Sequence, residues 1–429
     1  MTLPRAAAAL LAVAATLTLA GRVQAQTIVE FPLAAGSFPA GITAGPDGNV
    51  WFVEERGDRI GRISPSGALV EFPLPLHDLS TFARGITAGP DGALWFTELR
   101  GRIGRVTTTG SIVELDIPIR PAEPTAIVTG SDGNLWFTDF WDRIGRLTPS
   151  GALTYFTLPA GVGPRGIAAG PDGAIWFALT YVGRIGRLTP AGALTQFQLP
   201  DAGSGPFGIA AGPDGNLWFT EYSTSRIGRL SPAGALTEFP LAGGATPYGI
   251  TAGPDGNIWF TEYSLDRVAR ITPTGAITEF PIPTSGGSPA EIAAGPDGNV
   301  WFTEFNGDRI GRITLRPSCT PDATTLCLNG ARFEARVAWA VPSQGSAGQA
   351  AAMPLTADTG AYWFFSANNI ELVVKVVDGR AFNGRFWVFA GALTDVRYTL
   401  TVRDLQTGAV RVYEHPAGVL ESLADTAAF

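Results

Sequence analysis

The side chains best placed to do chemistry are acids that recur at a fixed offset. Glu54, Glu98, Asp139, Glu221, Glu262 and Glu304 each stand seven residues past the aspartate of a P-D-G or S-D-G tripeptide, and Leu179 breaks the series. A ring of carboxylates can gather a divalent cation, or raise one another's pKa until one serves as a base. Each acid is also followed four or five residues later by an arginine: Arg59, Arg102, Arg143, Arg226, Arg267 and Arg309. Ion pairing within each repeat is therefore the first expectation, and a metal or base role the second. Arg184 keeps its place in the repeat that has lost its acid.

A second recurring position is the x of P-x-G-I and its variants, filled by Ala40, Arg84, Thr125, Arg165, Phe207, Tyr248 and Ala290. Residue types scatter here although the repeats are otherwise uniform, as expected if each copy adds something different to a ligand surface. Arg84 and Arg165 can hold an anion, and Phe207 and Tyr248 can stack a ring. Glu221 and Glu262 join them as candidate ligand contacts. Two histidines, His77 and His415, leave little for acid–base work, and Ser366 and Ser422 have no histidine placed beside them. The residues alone indicate no metal centre.

Both positions belong to one unit repeated seven times. The turn aspartates are Asp47, Asp91, Asp132, Asp172, Asp214, Asp255 and Asp297, spaced 44, 41, 40, 42, 41 and 42 residues apart. Four residues after each comes a tryptophan, from Trp51 to Trp301. Gly249 to Gly253 reads as a strand, Pro254-Asp255-Gly256-Asn257 as a turn, and Ile258 to Glu262 as the returning strand. Arg267 to Ile271 and Ala276 to Pro281 supply a third and a fourth. Four strands in about 42 residues is the size of a propeller blade. The seventh repeat lacks its fourth strand, and the matching piece, Ile28 to Leu33, stands ahead of the first repeat. The expected fold is all-β: a seven-bladed β-propeller over residues 26–316, closed by an N-terminal strand. The short turns after strands one and three share one face, and the variable loops after strands two and four share the other, which is the candidate ligand face.

Composition supports this architecture. The chain has 429 residues, 45% of them apolar, with 54 glycines and 33 prolines, a turn-dense content that helices tolerate badly. A net charge of −8, with Lys375 the sole lysine, provides no basic stripe for nucleic acid. Residues 1–25 read as a signal peptide: Arg5, a small-apolar run from Ala6 to Ala20 too short to span a bilayer, and the Val23-Gln24-Ala25 cleavage pattern. A secreted or periplasmic location follows, with no membrane span. There Cys319 and Cys327, eight apart, are expected to form a disulfide. Residues 317–429 read as a small β-sandwich-like C-terminal domain of seven short strands, in which Trp339, Tyr362, Trp363, Phe364, Phe386 and Trp387 are expected mainly as core.

The phrases G-I-T-A-G-P-D-G-N-x-W-F-T-E, R-I-G-R-I-T-P and G-A-L-T-E-F-P-L-P, over residues 27–316, resemble the virginiamycin B lyase family of seven-bladed propellers. The resemblance implies a carbon–oxygen lyase that opens the ester bond of a cyclic depsipeptide, a streptogramin B, by elimination. It also implies magnesium, and histidines at x of P-x-G-I in the last two blades. Here those positions hold Tyr248 and Ala290. A family glutamate corresponds to Glu304, leaving Glu304 and Tyr248 as the candidate catalytic residues. The leading expectation is thus a monomeric, non-catalytic ligand-binding or scaffold propeller whose variable face takes a small molecule, a peptide or a cell-surface ligand. A lyase with non-histidine catalytic residues is the alternative, and a metal-dependent lactonase-type propeller the second.

Overall fold

The computed structural model describes residues 27–75, 81–315, 319, 321–329, 332–366, 369–405 and 408–429. The signal-peptide segment 1–25 and His77 lie outside them. Seven four-stranded antiparallel sheets follow one another along the chain. Blade one comprises Pro39–Ala44, Val50–Glu54, Arg59–Ile63 and Leu69–Pro73, and blades two to six repeat the order. Blade seven takes Pro289–Ala294, Val300–Glu304 and Arg309–Thr314, and its fourth strand is Thr27–Pro32, pairing Thr27 with Thr314 and Pro32 with Arg309. The first strands of all blades pack side by side around a central channel, and blade seven's meets blade one's to complete the circle.

The Asp-x-x-x-Trp spacing has a physical cause. Each turn aspartate accepts a hydrogen bond from the indole Nε1 of its tryptophan, at 3.0 Å for Trp51, Trp95, Trp176, Trp259 and Trp301. This satisfies the one polar atom of a side chain that is otherwise fully buried between blades. The fourth residue of strand three is an arginine stacked over that indole, Arg62 on Trp51 at 5.5 Å and Arg229 on Trp218 at 5.5 Å. Arg146 and Arg229 then donate to backbone carbonyls of the following blade, Pro190 and Pro273. The face of short turns is therefore the stitched, structural one.

The C-terminal region forms two five-stranded sheets. One runs Thr325–Leu328, Phe333–Val341, Arg397–Asp404, Val410–His415, with Ser346–Gln349 on the second strand; the other runs Ala351–Pro354, Thr359–Trp363, Leu372–Gly379, Arg385–Ala392, Ser422–Asp425. Phe333, Val337 and Leu400 from the first and Tyr362, Val374 and Val388 from the second share one core. Cys319 and Cys327 are disulfide-bonded. Thr325–Leu328, Ser346–Gln349 and Ser422–Asp425 exceed the seven expected strands. They are four-residue strands, and Ser-Ala-Gly-Gln has little strand propensity of its own, so pairing with a neighbour decides its state. Phe386 and Tyr362 point into the core while Trp387 and Trp363 are only partly covered, as alternation along a strand requires.

Candidate functional site

Every blade interrupts the pairing of its first two strands at the same place. Pro39 pairs with Glu54 and Ile42 with Phe52, but the two residues between them bulge, and the slip recurs in all seven blades. A bulge re-aims side chains, and here it turns x and its successor toward the channel mouth on the variable-loop face. The threonine of W-F-T-E serves this bulge. Thr220 Oγ1 accepts from the amide of Gly208 at 2.8 Å and donates to the Tyr248 carbonyl of the next blade at 2.8 Å. Thr97, Thr138 and Thr261 bridge their neighbours likewise. The successor of x is glycine in five blades because the next blade's backbone is close: a Cβ on Gly249 would stand 2.5 Å from the Ala290 carbonyl oxygen. Blade seven instead carries Glu291, whose side chain enters the channel.

The result is a cavity of about 170 Å³ with a polar rim and an apolar floor. Ile42, Ile86, Ile127, Ile167, Ile209 and Ile250, one from each of six blades, make the floor. Arg84, Arg165, Phe207, Tyr248 and Glu291 stand at the rim. Phe207 and Tyr248 rings pack at 4.1 Å, and Tyr222 and Tyr263 extend this aromatic wall. Arg84 donates through Nη2 to Tyr248 Oη at 2.8 Å and through Nη1 to Glu55 Oε2 at 3.1 Å. Arg165 differs: its guanidinium lies 4.7 Å from the Phe140 ring centre, and no acid among the described residues forms an ion pair with it.

Charge at the rim is tuned by enclosure. Burial pushes the Tyr248 phenol up, against the opposing pull of Arg84, so it stays protonated at neutral pH. Burial also raises the Glu291 carboxyl, again opposed by Arg84. Sequence reasoning missed Glu291. The signal was available, since aligned repeats show glycine or alanine in the other six copies.

The acid series lies elsewhere. Glu54, Glu98, Asp139, Glu221, Glu262 and Glu304 are fully buried and none lines the cavity. Only Asp139 is tightly paired with the arginine four residues on, at 2.7 Å from Arg143; Glu54 to Arg59 and Glu262 to Arg267 are 3.9 and 4.0 Å. The arginines sit closer to strand-four acids, Arg59 to Glu71 at 3.5 Å and Arg226 to Glu238 at 3.3 Å, because those are nearer solvent. Each buried glutamate instead faces a strand-four glutamate of its own blade. Burial first, and the neighbouring carboxylate second, push Glu98 beside Glu114 up to about 8 and Glu221 beside Glu238 up to about 7. Burial and Glu30 push Glu304 up to about 8, and burial and Glu279 push Glu262 up to about 7. Where strand two has Asp139 or Leu179, strand four has Tyr155 or Gln196 in place of the glutamate, so the two glutamates occur together or not at all.

Glu304 and Tyr248 are therefore not brought to one place: Tyr248 is at the rim, and Glu304 lies beneath the loop, its carboxyl against Gly287 and Gly307. Among the described residues no three His, Cys, Asp or Glu side chains converge on a point that could hold a metal. Of the acids at the cavity, Glu55 is engaged by Arg84 and Glu291 has no second carboxylate beside it among the described residues, a donor set that does not fit magnesium.

Seven four-stranded blades closed by an N-terminal strand define a seven-bladed β-propeller. The chain belongs to the virginiamycin B lyase family, whose model matches residues 12–162 and 160–325. A streptogramin B lyase structure is 36% identical with a TM-score of 0.64, over 67% of this chain and 97% of that one. A catalytically inactive virginiamycin B lyase from Staphylococcus aureus, solved with quinupristin, is 36% identical with a TM-score of 0.64, over 67% and 99%. Virginiamycin B lyase from Bordetella parapertussis is 50% identical over 38 residues, so the chain spans only 13% of the length of that curated relative.

Proposed function

We propose that this protein is a non-catalytic, ligand-binding member of its family, using the cavity at the channel mouth. The observation that carries the reading is the wiring of Tyr248, which occupies one of the two positions where the resemblance places histidine. Its hydroxyl is held by Arg84 and its pKa is pushed up, so it offers no base at neutral pH. Ala290, at the other position, has no titratable group. What remains is suited to holding a molecule: a guanidinium with no ion pair among the described residues, an aromatic wall and an apolar floor. The ligand is a small molecule, or one residue of a peptide or cell-surface polymer, because a cavity of about 170 Å³ cannot enclose more. Export accompanies this reading: the Cys319–Cys327 disulfide suits an oxidising compartment. No helix among the described residues is long and apolar enough to cross a membrane.

A lyase is the second reading, favoured by one observation: Glu291 brings a carboxyl of raised pKa into the same cavity as Tyr248. One experiment separates the two. The purified protein is incubated with magnesium and a streptogramin B compound and followed by mass spectrometry. An intact ring supports binding without turnover. Linear product that disappears in Glu291→Gln establishes the lyase.

A further inference from the structure

Resting on the reading of the cavity as a binding site, we infer that its ligand is a zwitterionic α-amino acid with a ring-sized apolar side chain, free or at the end of a larger molecule. The inference starts from the distribution of polarity. Ile42, Ile86, Ile127, Ile167, Ile209 and Ile250 form a collar with no hydrogen-bonding side chain, so only an apolar group is stable against it. A cavity of this kind measuring about 150 Å³ accommodates benzene; the one here is about 170 Å³. The body of the ligand is therefore the size of a phenyl ring or a branched alkyl group.

The rim specifies the head group. Arg84 already donates to Tyr248 and Glu55, so those donors are not free for a ligand. Arg165 is the rim cation with no ion pair among the described residues; it stacks on Phe140 and lines the cavity, and a carboxylate is the anion that matches the guanidinium fork. Glu291 feels Arg84 as a neighbouring charge but its carboxyl has no hydrogen bond or ion pair among the described residues, and it is the one side chain that departs from the glycine or alanine of its six counterparts. A simple anion would satisfy Arg165 and face the Glu291 oxygens. A simple amine would satisfy Glu291 and face Arg165. A molecule carrying both charges at one end and an apolar body at the other meets collar and rim together. Binding the ammonium also favours the ionised form of Glu291.

The test uses isothermal titration calorimetry on the full chain with four probes: L-phenylalanine, 3-phenylpropionate, 2-phenylethylamine and glycine. L-phenylalanine is expected to bind, and each of the others, lacking the ammonium, the carboxylate or the side chain, at least tenfold more weakly. Arg165→Ala should abolish the preference for L-phenylalanine over 2-phenylethylamine, and Glu291→Gln the preference over 3-phenylpropionate, with unchanged circular dichroism spectra showing that both variants fold. If 3-phenylpropionate or 2-phenylethylamine matches L-phenylalanine, or either variant keeps its preference, the zwitterion is overturned while the cavity remains a binding site. If no probe binds at millimolar concentration, the inference falls; if Arg165→Ala is also indifferent to a wider ligand panel, the binding reading falls with it.

Discussion

Arg84 Nη2 donates to Tyr248 Oη at 2.8 Å across the central channel, joining the inner strand of blade two to that of blade six over 164 residues of chain. Glu55 holds the same guanidinium from the other side at 3.1 Å. The three groups form a strut that divides the channel mouth, since Arg84 and Tyr248 line both the main cavity and a smaller one bounded by Glu55, Ala290 and Phe305. Tyr248→Phe removes one acceptor and leaves the ion pair, an expected cost of about 1 kcal/mol. Arg84→Ala removes the cation from a Glu55 that is only 8% exposed, an expected cost of about 2–3 kcal/mol. Thermal unfolding should therefore rank wild type above Tyr248→Phe and Tyr248→Phe above Arg84→Ala. Equal melting temperatures for all three would mean that the strut contributes nothing.

Stability should depend on pH in a direction set by the buried carboxyl pairs. Glu98, Glu304, Glu221 and Glu262 are raised to about 8, 8, 7 and 7, and Glu54 is raised as well, chiefly by burial. A carboxyl whose folded pKa exceeds its unfolded value near 4.3 stabilises the fold fully below that value and loses its contribution as pH rises through the folded pKa. The propeller is therefore expected to melt at progressively lower temperature from pH 5 to pH 8. Each such group contributes a slope of at most about 1.4 kcal/mol per pH unit. Burial raises the turn aspartates too, but hydrogen bonds from tryptophan and its neighbours outweigh it and leave Asp47, Asp91 and Asp172 below the usual range, outside this window. Glu98→Gln, a neutral isostere, should flatten the slope. Melting that is constant or rises between pH 5 and 8, or an unaltered slope in Glu98→Gln, would contradict the raised pKa of these buried carboxyls.

The ring was legible because its spacing is chemical. Asp47 and Trp51 are four apart so that carboxylate and indole can bond, and seven copies of that constraint announce seven blades. The line of x residues was legible too, since scatter among uniform repeats marks them. Two features were hidden for a common reason: they depend on which residues face one another across strands or across the channel. Glu71 and Glu238 read along the chain as solvent-side acids of an alternating strand, and only the sheet register sets them beside Glu54 and Glu221. The Arg84–Tyr248 strut requires ring closure before two positions 164 residues apart can meet. Glu291 was legible as the one acid where the other six repeats have glycine or alanine, but its entry into the channel depends on the bulge between Pro289 and Ile292.

Ring closure itself is open to measurement. Thr27–Pro32 is the fourth strand of blade seven, and without it Arg309–Thr314 would present a bare edge. Phe31 stacks on Trp301 at 5.6 Å, and Glu30 accepts from the amide of Thr284 at 2.9 Å, tying the strand to the loop that joins blades six and seven. Deleting residues 27–32 therefore removes a sheet edge, an aromatic stack and a contact to that loop at once. Phe31→Ala, which keeps the backbone pairing and loses only a partly buried ring, is expected to cost about 2 kcal/mol, less than the loss of a fully buried aromatic. Differential scanning calorimetry should show a lower, still cooperative transition for Phe31→Ala and a broadened one for the deletion, because blades that meet only on one side can open separately. A deletion variant that melts as sharply and as high as the intact chain would show that blade seven closes without its N-terminal strand.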